Sequence, residues 1–219
     1  KGGILLGVSV GPVRDHFQRQ FAACGVPPHE KAGRLGECIE IMRRLWTEKA
    51  INYDGRYYKL SEVGILPHPT QKPGIPIWIA ADRNENGFKR VGRLGDGWVT
   101  LAPTLERFAA ARSKIDRYAD QYGRAGKCPA AALYATFNIQ VDGDRAKDEG
   151  WKWMERFFEQ PREKLSYHFT IFDTPTECVR LLKGYAAAGL TTIIARIASD
   201  DVGEQSRILL NELKPQLAQ

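Results

Sequence analysis

Between Ile77 and Trp98 a short apolar run ends in Ala80-Ala81-Asp82-Arg83-Asn84, and one helix-length later the chain reads Gly95-Asp96-Gly97-Trp98. Two small residues at the end of a strand let a ligand approach the backbone. A helix that starts at once presents unpaired N–H groups and the positive end of its dipole, which together favour an anion. Arg83 adds charge of the right sign. The same residues equally suit a plain strand-to-helix connection in which Asp82 or Asn84 caps the helix. Asp96 is of a type that braces a Gly-x-Gly turn, and Trp98 is either a core aromatic or the wall of a site.

Other side chains capable of chemistry are scattered. His16 follows the first apolar run and is either a proton donor or acceptor near neutral pH or an exposed loop residue. Arg196, inside the last apolar run, points either to an anionic ligand or to an internal carboxylate. Cys24, Cys38, Cys128 and Cys178 form no C-x-x-C pair, and the four histidines show no H-x-x-x-H spacing. The pattern contains no metal motif, and the metal expectation is none. Widely spaced cysteines suit a reducing cytoplasm better than a disulfide framework, so a cytoplasmic location is expected.

The elements that would position these groups follow from periodicity. Ile4 to Val10 is short, branched and bounded by glycines, as a buried strand is. Leu35, Cys38, Ile39, Met42, Leu45 and Trp46 repeat at helical spacing. "INYDGRYYKL", residues 51–60, alternates around Asp54-Gly55 and predicts a β-hairpin outside the main sheet. Ile77 to Ala81, a helix over Glu85 to Leu94 and a strand from Trp98 to Leu101 begin a β, α, β alternation. Thr104 caps a helix running through Tyr122, and "LYATFNIQV" is a strand. A tryptophan-rich helix covers Asp144 to Phe158. In "TPTECVRLLKGYAAAG" Thr174 caps, Pro175 takes the first turn, Glu177 completes a capping box and Gly189 stops the helix. "LTTIIARIA" is a strand and "VGEQSRILLNELKPQL" a closing helix. Strict alternation of this kind demands a parallel sheet covered by helices, either open and doubly wound or part of a (β/α)8 barrel. No linker or low-complexity tract divides residues 1–219, so a single domain is expected.

Composition narrows the partners. The 219 residues carry a net charge of +6 with 43% hydrophobic and 26% charged residues, which is ordinary for a folded domain. Acidic residues interleave with the basic ones, as in "RSKIDRYADQ", so the charge describes solvated helix faces and no nucleic-acid footprint. The aromatics Trp151, Trp153, Phe157 and Phe158 do not form the stacking pattern, interleaved with basic residues, of a known nucleic-acid module and are expected in a core or interface. No apolar segment has the length of a bilayer span.

Taken in order, "ILLGVSVG", "RLGECIEIMRRLWT" with "INYDGRYYKL", "PHPTQKPGIPIWIAA" with "RVGRLGDGWVT", and "DTPTECVRLLKGYAAAGLTTIIAR" resemble the bacterial luciferase-like family of flavin monooxygenases and deazaflavin-dependent oxidoreductases. The resemblance spans nearly the whole chain. It implies an α/β fold, a partial TIM (β/α)8 barrel with about five β/α units present and the first three missing. Those units would lie upstream in a longer protein, or a second copy would cover the open sheet edges in a homo-oligomer. The function implied is that of a monooxygenase using reduced FMN and oxygen on a small organic substrate, with a separate flavin reductase as partner. The alternatives are a deazaflavin coenzyme used for hydride transfer and a non-catalytic, flavin-free member of the fold. Carried over from the family, the cofactor-binding positions are Val10, Gly11, Ala80, Ala81, Asp82, Arg83, Asn84, Gly97 and Trp98. No catalytic residue is assigned. Asp82 stands where the family often has a hydroxyl or amide, and Val10 where the luciferases proper have arginine. Both departures shift phosphate binding onto backbone donors and Arg83.

Overall fold

The computed structural model describes residues 3–11, 15–102, 104–128 and 130–217, with His16 described by its backbone alone. In chain order the elements are β1 (Leu6–Val8), α1 (Asp15–Ala23), α2 (Lys31–Leu45), β2 (Ile51–Asp54), β3 (Lys59–Val63), β4 (Ile77–Ala80), α3 (Glu85–Leu94), β5 (Gly97–Thr100), α4 (Leu105–Gln121), β6 (Ala130–Ile139), α5 (Gly143–Phe158), β7 (Thr170–Asp173), α6 (Pro175–Ala187) and β8 (Thr192–Ile197). The chain closes with α7 (Val202–Arg207), a π-helical stretch Ile208–Leu213 and α8 (Lys214–Leu217). No helix among the described residues is long and apolar enough to cross a membrane.

Every pairing in the main sheet is parallel. Strands β1, β4, β5 and β6 lie side by side, and β8 pairs with β6. Ala132 and Leu133 of β6 are partnered by both β5 and β8, while Thr136 and Phe137 are partnered by both β7 and β8. A residue has two edges, so β8 takes one side of β6 while β5 and β7 share the other in succession. The result is a curled half-barrel of five parallel strands, with β7 added beyond β5 toward the C-terminal rim.

Alternation sorts the two faces of the sheet. Ile77 and Ile79 of β4, Trp98 of β5 and Leu133 and Phe137 of β6 are fully buried, in one core with Phe88, Val91, Phe108 and Tyr185 from the surrounding helices. The opposite, concave face receives Gly7, Trp78, Ala80, Val99, Tyr134, Thr136 and Arg196.

Several sequence expectations change. The first strand is shorter than Ile4 to Val10, and β6 begins earlier, at Ala130. The hairpin forms, but not through a two-residue Asp54-Gly55 turn. Gly55 does not take up left-handed φ, and a loop closes from the N–H of Gly55 to the carbonyl of Tyr58 at 3.0 Å. Glu37 of α2 fastens that loop, accepting from the N–H groups of Arg56, Tyr57 and Tyr58 at 2.7, 3.0 and 3.1 Å. Gly55 packs against the Glu37 carboxylate and the Tyr53 ring, so that a Cβ there would displace one of them. At α6, Thr174 accepts from the N–H of Glu177 as expected. The reciprocal half of the box is taken by Asp173, which accepts from the N–H of Thr174, while Glu177 pairs with Arg180. The strand β7 and helix α1 had no counterpart in the sequence reading.

Candidate functional site

The C-terminal rim of β4 and β5 is organised around a helix start. Asn84 caps α3, its side-chain oxygen accepting from the N–H of Gly87 at 2.6 Å. Asp82 does not cap. Its carboxylate accepts from the hydroxyl of Thr100, at the end of β5, and from Nε of Arg83, both at 3.1 Å. The negative charge that would repel an anion is thereby turned into the sheet end and matched by a guanidinium. Helix and strand end touch closely, since a Cβ on Gly87 would come within 3.1 Å of the Ala81 methyl.

Outside this turn, α3 and α4 diverge around a cleft of about 330 Å³ lined by Asp82, Arg83, Phe88, Ala102, Arg107 and Lys114. Three of those residues are basic. Lys114 donates to Glu85 at 2.7 Å. That contact, with a second from the hydroxyl of Tyr118, holds the Glu85 carboxyl below the usual range. Arg107 carries no ion pair among the described residues.

Val10 and Gly11 leave β1 at the same rim, because Val8 is in register with Ile79 of β4. Gly11 adopts φ +68°, a conformation that favours glycine, and its N–H bonds the Ser9 hydroxyl at 3.0 Å. The side chain of His16 lies outside the described residues.

Gly97 and Trp98 sit differently from the rest. Gly97 opens β5 at the far end from the rim, and a Cβ there would strike the Trp78 indole at 2.6 Å. Trp98 has no exposed surface and faces the helices, stacked on Phe108 at 5.1 Å and edge-on to Phe88 at 6.3 Å. Its indole N–H nevertheless donates to the carbonyl of Ala81 at 2.7 Å. The structure therefore brings Trp98 to the rim from behind, as a prop for the strand end. Asp96 reaches further than the turn expected of it. It accepts from Arg43 at 2.8 Å, from the N–H of Ile77 at 2.9 Å and from Arg124 at 3.4 Å, tying α2, β4 and the α4–β6 connection together at the bottom of the sheet.

A second polar group occupies the concave face. Arg196 of β8 donates to the hydroxyl of Tyr134 and lies 3.4 Å from Nδ1 of His168. Its guanidinium sits over the rings of Tyr134 and Phe158 at 4.8 and 5.1 Å. Of the two sequence readings for Arg196, the internal carboxylate has no counterpart among the described residues. Lys114, Arg107, Tyr134 and His168 were not singled out in the sequence. They come from segments that only the fold brings together, and no local spacing marks them. The described residues hold no grouping of histidine, cysteine and acidic side chains able to bind a metal ion.

A parallel β/α half-barrel whose helices start at the C-terminal ends of its strands places the chain among TIM-barrel-type α/β proteins. The chain belongs to the luciferase-like monooxygenase family, which it matches over residues 1–177. It is 25% identical over 232 positions to an F420-dependent glucose-6-phosphate dehydrogenase of Kineococcus radiotolerans, covering 95% of this chain and 66% of that one. Its fold is similar to that of an F420-dependent secondary alcohol dehydrogenase in complex with an F420-acetone adduct, with a TM-score of 0.77 at 18% identity, covering 97% of this chain and 69% of that one. It is also similar to the monooxygenase RslO1 from Streptomyces bottropensis, with a TM-score of 0.71 at 20% identity, covering 89% and 62%. The chain spans about two thirds of the length of the curated relatives it matches.

Proposed function

We propose that the whole protein is a deazaflavin-dependent oxidoreductase, which moves a hydride between a small organic substrate and an F420-type coenzyme. The observation that carries the choice of coenzyme is the likeness, across nearly the full chain, to F420-dependent dehydrogenases. The reading with reduced FMN and oxygen, the first expectation from sequence, ranks second and rests on monooxygenases of similar fold such as RslO1. A separate flavin reductase belongs to that second reading alone.

The residues present suit a planar, phosphate-bearing group. On the concave face a Cβ built on Gly7 meets nothing within 4 Å, and its neighbours there are Trp78 and Ala80. That surface leaves room for a flat ring. Ala80 and Ala81 let a phosphate approach the backbone, while Asn84 fixes the start of α3 with its N–H groups turned to the rim. Arg83, Arg107 and Lys114 supply positive charge, and Gly11 offers backbone rather than side chain. Val10 borders the rim. Trp98 acts from behind the sheet by holding Ala81, while Gly97, at the far end of β5, admits Trp78 on the concave face. When bound, such a coenzyme accepts or gives up the hydride. The chain's part is to orient it and keep water from it.

The test is anaerobic incubation of the full-length protein with the oxidised deazaflavin and a panel of alcohols and sugar phosphates. Substrate-dependent bleaching of the deazaflavin is the expected result. Oxygen consumption with reduced FMN and no bleaching would reverse the ranking.

A further inference from the structure

We propose that Arg196 is the docking point for an anionic group of the substrate, a carboxylate or phosphate, which rests on the oxidoreductase reading above. Arg196 projects from β8 into the concave face, where it meets no acidic side chain but the hydroxyl of Tyr134, the ring nitrogen of His168 and the rings of Tyr134, Phe157 and Phe158 at 4.8, 6.0 and 5.1 Å. No carboxylate lies within ion-pair distance of it among the described residues. A guanidinium drawn partly out of bulk water and given no acidic partner retains its demand for a counter-charge, and its planar fork suits two oxygens of one anion.

Its place separates it from the coenzyme's phosphate. From β4, whose end leads into Asp82 and Arg83, to β8 the sheet crosses three strand spacings, by β5 and β6, or roughly 14 Å. Along β6, Thr136 is the partner of Arg196 and Leu133 the partner of Thr100, so the guanidinium stands roughly 10 Å nearer the C-terminal end of β6. The positive charge at Arg83, past the end of β4, and that at Arg196 on β8 thus stand apart, with Ala80 at the end of β4 near the first. One suits the anionic end of the coenzyme and the other an anionic substrate lying over the ring.

The surroundings hold the arginine still. His168 stacks on Phe158 at 4.4 Å, and Phe157, itself 58% exposed, stacks on Trp153 at 4.7 Å. These rings pack around the guanidinium, and Phe157 at its edge is itself exposed to solvent. A rigid, half-wet cation of this kind binds an anion with little ordering cost.

The test uses the full-length protein free of coenzyme, titrated calorimetrically at low salt with inorganic phosphate, with succinate and, as an uncharged control, with glycerol. Phosphate, succinate or both should bind the native protein, with affinity falling roughly 10- to 100-fold in Arg196→Gln and less in Arg196→Lys. Whichever anion binds more tightly names the headgroup. Glycerol should not distinguish the variants. A second readout needs no variant: the bound anion should protect Arg196 from modification by phenylglyoxal. Absence of anion binding to native protein, equal binding by native and Arg196→Gln, or unprotected Arg196 at saturating anion would each overturn the proposal. A separate spectral titration with the coenzyme tells the two readings apart, since Arg196→Gln should leave coenzyme affinity within about twofold of native.

Discussion

Replacing Trp98 by Phe removes one hydrogen bond and a modest volume, and both losses fall on the strand end that borders the proposed phosphate site. The indole N–H that bonds the Ala81 carbonyl at 2.7 Å is fully buried, and no water reaches it to take over. A buried acceptor stripped of its donor costs about 1–3 kcal/mol. The smaller ring leaves on the order of 40 Å³ unfilled beside Phe88 and Phe108, adding about 1 kcal/mol at the usual cavity slope. Trp98→Phe should therefore lower the unfolding free energy by about 2–4 kcal/mol. In urea the midpoint should fall while the slope stays constant, because the surface exposed on unfolding barely changes. Since the freed carbonyl belongs to the residue before Asp82, coenzyme affinity should weaken as well, by roughly three- to tenfold. A variant with native stability, or one destabilised as stated but binding coenzyme as tightly as native, would refute the claim that Trp98 serves the rim through Ala81.

Asp96→Asn should cost about 1–3 kcal/mol in urea unfolding, by weakening the contacts with Arg43 and Arg124, yet leave coenzyme affinity unchanged because those contacts lie at the opposite end of the sheet. Asn84→Ala should lose about 1 kcal/mol from the missing helix cap and weaken phosphate binding at the start of α3, measured by urea unfolding and by phosphate titration. The Glu37 carboxyl is partly desolvated, which alone would raise its pKa, but three backbone N–H groups of the hairpin loop outweigh this and hold it below the ordinary range. A folded pKa below the unfolded one means that the carboxylate stabilises the fold above the unfolded value and ceases to do so as pH falls through the lowered one. Amide exchange at Tyr57 and Tyr58 should accordingly gain extra opening in that acidic window, and Glu37→Gln should abolish the pH dependence.

Much of the scaffold was readable because its signals are local. Asn84 and Gly95 delimit α3 at the residues that the pattern suggested, and Thr174, Pro175 and Gly189 delimit α6. What the sequence withheld depends on distance or on phase. In a strand as short as Gly97–Thr100, alternation alone does not tell which residues face the helices. Trp98, which the sequence leaves open between a core aromatic and the wall of a site, is buried among the helices while its N–H reaches the strand end. Asp82 resembled a helix cap until Thr100, eighteen positions away, was seen to hold it. The meeting of Arg196 with Tyr134 spans 62 positions and follows only from the pairing of β8 with β6. Strand β7 has only Ile171 and Phe172 as apolar residues and is stabilised by the far half of β6, which so short a stretch does not announce. The Asp54-Gly55 pair misled for a related reason. Its turn is set by a carboxylate on a neighbouring helix, not by the dipeptide's own preference.

The most direct measurement of the central claim is a side-by-side equilibrium titration of the full-length protein with the F420-type deazaflavin and with FMN, followed by fluorescence. Saturable binding of the deazaflavin, tighter than FMN and weakened when Arg83 and Asn84 are replaced by Gln and Ala, is the predicted result. Binding of neither compound, or tighter binding of FMN that is indifferent to both replacements, would contradict it.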